Sequence, residues 1–182
     1  LFKSKRVTIM IIIGIDPGNA ITGYGIIETK FPKNFGQNKN EKPKVLDFGC
    51  IVTKASWPAA ERLKVIHDEV NNLIKKHKPD LISIENIYFF KNLKTAIPVS
   101  QAKGVILLSA AKKNIPIYEF TPLQVKMAVV GYGRADKKQM QKMAKELLDL
   151  SAFNLKEKNR KRDDAADALG IALCGFLKRT TV

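Results

Sequence analysis

Four carboxylates stand where side chains of that type are uncommon. Asp16 closes the apolar run Ile11-Ile12-Ile13-Gly14-Ile15, and Glu85 closes Leu81-Ile82-Ser83-Ile84. Acids are rarely buried without partners, because stripping a carboxylate of water is very costly. Each has a plainer explanation: Asp16 as turn chemistry ahead of Pro17-Gly18, Glu85 as a strand-end residue facing water. The stretch Asp163-Asp164-Ala165-Ala166-Asp167-Ala168-Leu169 supplies the rest. Asp163 is accounted for as a helix cap. Asp164 and Asp167, three residues apart, share one helix face. The small Ala165, Ala166 and Ala168 let that face approach a sheet, where two acids repel unless a cation sits between them. Together Asp16, Glu85, Asp164 and Asp167 make an all-oxygen cluster suited to Mg²⁺, with Mn²⁺ expected to substitute. The matching chemistry is two-metal phosphodiester hydrolysis, in which ions about 3.5–4 Å apart activate a water and stabilise the leaving oxygen.

The elements that must position these acids are legible in outline. Residues 10–15 read as a strand buried on both faces. Asp16-Pro17-Gly18-Asn19 is a turn, Gly23 to Ile27 a second strand and Val45 to Thr53 a third, giving an antiparallel meander. Ser56 as cap and Pro58 in the first turn open a helix to residue 77, with Leu63, Ile66, Val70, Leu73 and Ile74 at helical spacing. Leu81 to Ile84 is a fourth strand and Ile115 to Phe120 a fifth, joined by an apolar helix from about Asn92 to Lys113. Further helices are expected near 137–150 and 163–178. The expected fold is α/β: a five-stranded mixed sheet with helices on both faces. The crossover through helix 58–77 makes the first and fourth strands parallel neighbours. Asp16 and Glu85 then end adjacent strands at the switch point where such sheets place their sites.

Composition narrows the partner. The chain has 182 residues, room for one sizeable domain, and is 45% hydrophobic. Its 32 Lys plus Arg against 17 Asp plus Glu leave a net charge of +15, which points to a polyanionic partner. A non-enzymatic binding protein shares that charge, so the acids, not the charge, argue for a nuclease. Residues 1–9 read as a flexible basic leader and 10–180 as a single domain. The run Ile9 to Ile13 is too short to span a bilayer and lacks a cleavage site, so no membrane association is expected. Cys50 and Cys174 have no metal-ligand spacing and read as thiols of a reducing cytosol; His67 and His77 read as solvated helix residues.

Several motifs carry a family resemblance. Gly14-Ile15-Asp16-Pro17-Gly18 with Thr22-Gly23-Tyr24-Gly25 resembles the opening signature of the RuvC family, the bacterial Holliday junction resolvases. Gly49-Cys50-Ile51, Ile84-Glu85, Gln101-Ala102-Lys103-Gly104-Val105, Gln124-Val125-Lys126, Val129-Val130-Gly131-Tyr132-Gly133 and Asp164 to Leu169 follow in the family's order. They cover nearly the whole chain after residue 10. The resemblance implies an RNase H-like fold and a homodimer that nicks a four-way DNA junction symmetrically, in recombination and repair. It implies two Mg²⁺ ions per site, with Asp16, Glu85, Asp164 and Asp167 as metal ligands. Lys126 and Lys137 would contact phosphate and stabilise developing charge. Tyr88 falls where the family stacks an aromatic on opened bases. Gly131 to Arg134 would form a mobile loop on the DNA, with Arg134 and Lys138 as contacts and Lys142 and Lys145 continuing a basic helix. A RuvA-RuvB branch-migration complex would be the partner, in the cytoplasm with the nucleoid. The chain departs from the pattern in its long loop 31–44, in Ser100 where Gly commonly precedes Gln-Ala, and in the heavy basic run Lys156 to Arg162.

Three other readings compete with this one. An actin-like or sugar-kinase-like ATPase opens on a similar strand-end Asp-x-Gly, yet needs a second Gly-rich loop and a duplicated domain. A catalytically dead DNA-structure binder has no need of four placed acids. A related RNase H-like nuclease on RNA or hybrids would share the chemistry and differ in substrate shape.

Overall fold

Successive isoleucines in an extended run point to opposite sides of a sheet, so the first apolar run needs cover on both faces. The computed structural model describes residues 8–31, 42–86, 93–151 and 161–180, and shows how that cover is supplied. The strands are β1 (Thr8–Asp16), β2 (Ile21–Phe31), β3 (Lys44–Val52), β4 (Leu81–Glu85) and β5 (Ile117–Phe120). They form a five-stranded sheet in the order β3-β2-β1-β4-β5. β1, β2 and β3 are an antiparallel meander, while β4 lies parallel to β1 and β5 parallel to β4. The expected parallel pairing of the first and fourth strands is therefore present, with Gly14 opposite Ser83 and Ile15 opposite Ile84.

Asp80 fastens this pairing from outside the strand. Its backbone N–H donates to the Ile11 carbonyl at 2.8 Å, and its carboxylate accepts the Ile11 N–H at 2.8 Å.

Alternation divides the core into two. Met10, Ile12, Ile27, Leu81 and Phe120 face α3 (Pro122–Val130), α4 (Lys137–Leu147) and α5 (Lys161–Thr180). Ile13, Ile15, Ile26, Ile82 and Ile84 face α1 (Ala59–His77) and α2 (Leu93–Ala111). By the same alternation Gly14 and Asp16 in β1, and Ser83 and Glu85 in β4, look toward α5.

From Ala168 to Gly175, α5 is buried all round because it lies between the sheet and the α3–α4 pair. Its approach to the sheet is at backbone contact. A β-carbon on Gly14 would fall 2.1 Å from the Ala168 carbonyl oxygen, and one on its cross-strand partner Gly25 would fall 2.8 Å from the Leu169 nitrogen. The fully buried Ala168 and Ala172 make this contact with Gly14. Of the small residues expected there, Ala165 and Ala168 are buried and Ala166 is half-buried.

Local boundaries differ from the expectation in several places. β1 begins at Thr8, so Thr8 and Ile9 of the expected leader pair with Phe31 and Lys30. Ser56 lies in a turn and does not cap α1; Pro58 holds that position, without a side-chain cap. α1 ends where Lys78 turns left-handed, φ 49°, ahead of Pro79. The fifth strand starts at Ile117, α4 stops at Leu147, and a helix, α3, occupies residues given no element from the sequence. Residues 1–7, the 32–41 part of the long loop and the 156–160 part of the basic run lie outside the described residues. Among the described residues, no helix is long and apolar enough to cross a membrane.

Candidate active site

The site lies where β1 and β4 end beneath α5. Asp16 and Glu85 are carried to one edge by two parallel strands in register, each with isoleucines buried on the far face. The turn after Asp16 is held from two sides. Within it, the Thr22 hydroxyl donates to the Gly18 carbonyl at 2.6 Å. From α1, the Arg62 guanidinium donates to the Asn19 carbonyl and to the Thr53 hydroxyl, each at 3.0 Å, and that hydroxyl donates to Asn19 O at 2.6 Å.

Electrostatics mark Glu85 as a stressed acid. Its carboxyl is lifted from 4.5 to about 7, first by burial, then by the negative charges of Asp16 and Asp167, with the Lys126 charge acting in the opposite sense. A carboxylate that senses both neighbours places the three acids in one field. Asp167 also meets a cation: Lys137 Nζ lies 3.6 Å from its Oδ2.

The lysines arrive on short, well-terminated helices. α3 starts with a reciprocal capping box between Thr121 and Gln124, and α4 with another between Asp136 and Gln139. These starts place Lys126 one turn into α3 and Lys137 at the first residue of α4. The segment expected as a mobile loop, residues 131–134, lies in a short connection between the left-handed cap Gly131 of α3 and the Asp136 cap of α4. Arg134, Lys138, Lys142 and Lys145 are exposed on it and on α4.

The structure therefore brings Asp16, Glu85, Asp167, Lys126 and Lys137 into one neighbourhood. Among the described residues, no three His, Cys, Asp or Glu side chains stand close enough to hold a metal ion by themselves. Asp164 lies in the first turn of α5, but its side chain, like the whole of Tyr88, is outside the described residues. Sequence reasoning missed the Arg62 clamp. Its partners Thr53 and Asn19 are 9 and 43 residues away, a distance no local pattern spans.

A crowded carboxylate edge flanked by lysine-bearing helices, on a mixed sheet of this order, defines an RNase H-like nuclease architecture. Comparison with known proteins agrees. The family model described as crossover junction endodeoxyribonuclease RuvC matches residues 12–175. The chain is 46% identical to the crossover junction endodeoxyribonuclease RuvC of Caldicellulosiruptor saccharolyticus, over 95% of this chain and 96% of that protein. It is 50% identical to that of Ruminiclostridium cellulolyticum, over 91% and 90% respectively. Among solved structures, Thermus thermophilus RuvC in complex with Holliday junction substrate superposes with a TM-score of 0.79 at 27% identity, covering 94% of this chain and 96% of that one. This chain belongs to the RuvC family of crossover junction endodeoxyribonucleases.

Proposed function

We propose that this chain resolves four-way DNA junctions by paired symmetric nicks, through divalent-metal-dependent phosphodiester hydrolysis, in recombination and repair. The observation that carries the chemistry is the crowding of Asp16, Glu85 and Asp167 beside Lys126 and Lys137 in a protein of net charge +15. The substrate reading is supported by the solved relative, which was captured on a Holliday junction.

The donor set suits a hard cation: Asp16, Glu85, Asp164 and Asp167 offer carboxylate oxygens alone. The repulsion that lifts Glu85 is of the kind a bound cation relieves. We assign these four acids to two Mg²⁺ ions, with Mn²⁺ as substitute. When bound, such ions supply an activated water and neutralise charge on the leaving oxygen. The chain's own part is placement. Asp16 and Glu85 hold fixed positions at the strand ends, and Asp167 is fixed by the flush packing of α5. Lys126 and Lys137 bind phosphate oxygens and offset charge that develops on them. Lys137, resting against Asp167, moves to phosphate when DNA enters. Arg134 and Lys138 track the backbone, and Tyr88 stacks on an opened base.

Paired nicks call for two sites. On α2, Ile97 and Leu108 are 66% and 51% exposed, and Gln101 and Gly104 lie between them on the same helical face. This stripe supports a homodimer packed through α2. We expect RuvA-RuvB as partner and the nucleoid-containing cytoplasm as location.

Synthetic four-way junctions, linear duplexes and RNA–DNA hybrids, incubated with and without Mg²⁺, test the assignment. Paired symmetric nicks are expected on the junction, only with metal. Asp16→Asn should lose cleavage while keeping junction affinity. Equal cutting of duplex or hybrid, or full activity of Asp16→Asn, defeats the reading.

A further inference from the structure

Lys103 has a partner set that the site just described does not use. It sits on the inner side of α2, with a side chain only 13% exposed. Its ammonium donates to the Asn86 side-chain oxygen and, at 2.5 Å, to Glu119 Oε2 on β5. Asn86 is the residue immediately after Glu85, and its backbone N–H donates to the Phe120 carbonyl at 2.7 Å. The β4–β5 ladder pairs Ile84 with Glu119 and Glu85 with Phe120, so Lys103 binds where that ladder ends.

The two faces separate its role from that of the site lysines. Ile84 and Glu119 share the face covered by α1 and α2, whereas Glu85 looks toward α5. Lys103 therefore approaches from behind the sheet and does not reach the reacting groups. Without it, the tip of β4 keeps the Asn86–Phe120 backbone hydrogen bond, but the Asn86 side-chain oxygen and the Glu119 carboxylate lose their cationic donor, which is unfavourable.

We propose that Lys103 is a positioning residue that holds the Glu85 end of β4 in place through Asn86. It rests on the reading of Glu85 as a metal ligand. Residues that orient ligands from behind a site typically change metal affinity or activity by about 10–100-fold when removed.

The test uses the full-length protein and Mn²⁺ as probe. Binding to the DNA-free protein is read from the free-ion signal in electron paramagnetic resonance, and junction nicking is read over a metal titration. Lys103→Met should weaken Mn²⁺ binding by about 10–100-fold and raise the metal needed for nicking in parallel. Junction affinity and melting temperature should stay near those of the parent, and Lys103→Arg should recover most of the loss. Unchanged Mn²⁺ binding in Lys103→Met overturns the proposal, as does a loss that tracks the melting temperature and is equal in Lys103→Arg. If Lys103→Met does not fold, Asn86→Ala cuts the same link and keeps the Lys103–Glu119 pair; normal Mn²⁺ binding there also overturns it. Asp16→Asn separates the two readings. If Asp16→Asn is inactive while Lys103→Met matches the parent, only the positioning role fails; an active Asp16→Asn fails the underlying site.

Discussion

Glu85 gives the most direct physical handle on the site, because its charge is a liability in the metal-free fold. Its carboxyl rises from 4.5 to about 7 on folding. At about 1.4 kcal/mol per tenfold change in acidity, its ionised form costs the metal-free protein about 3 kcal/mol at alkaline pH. The sign follows from linkage. An acid raised on folding leaves stability intact below its unfolded value, and stability falls as pH climbs through the folded one. The loss therefore develops between about pH 4.5 and about pH 7 and is complete near pH 8. Glu85→Gln keeps the shape and removes the charge. In EDTA, the variant should match the parent near pH 4 and exceed it by about 3 kcal/mol near pH 8. With a urea slope of about 2 kcal/mol per molar, the midpoint should move by about 1.5 M. Saturating Mg²⁺ should narrow the gap by stabilising the parent alone. Urea titrations followed by circular dichroism at the two pH values would measure this. An equal difference at both pH values, or a variant weaker than the parent at the higher one, would refute the argument from burial and repulsion.

Two further outcomes concern the fold around the site. Gly14→Ala drives a methyl to 2.1 Å from the Ala168 carbonyl, so it should cost about 3 kcal/mol or more, visible as a lowered melting temperature. A parent-like melting curve would show that α5 can lift away freely. Cys174, whose thiol burial and the Glu85 charge push up to about 12, should resist alkylation at neutral pH until the chain is unfolded. Rapid native labelling at that position, located by peptide mass spectrometry, would contradict the packing of α5.

What could be read in advance followed physical range. Asp16 and Glu85 each end an apolar run, and the crossover rule puts those runs side by side, so their meeting required only local pattern and chain handedness. α3 escaped because Pro122 to Val130 is almost uniformly apolar and has no amphipathic period. Its signal was the Thr121-Pro122-x-Gln124 start, a capping box with proline at the first helical position. Ser56 misled for the converse reason: a good cap residue counts only if the chain enters the helix there, and it enters at Pro58. The cations behind the sheet, Arg62 and Lys103, were beyond reach, since their partners are fixed by tertiary packing.

Asp80 has a consequence larger than its position suggests. Side chains in a strand alternate with a period of two, so sliding β4 along β1 by one residue would turn Glu85 toward α1 and α2 and point Ile84 at α5. From the α5 side the slip is opposed by the close packing of Gly175 on Ser83, where a larger side chain has no room. At the other end of the strand, the two hydrogen bonds exchanged between Asp80 and Ile11 hold the same count. An exposed aspartate at the far end of the strand thus helps to decide which side of the molecule can do chemistry.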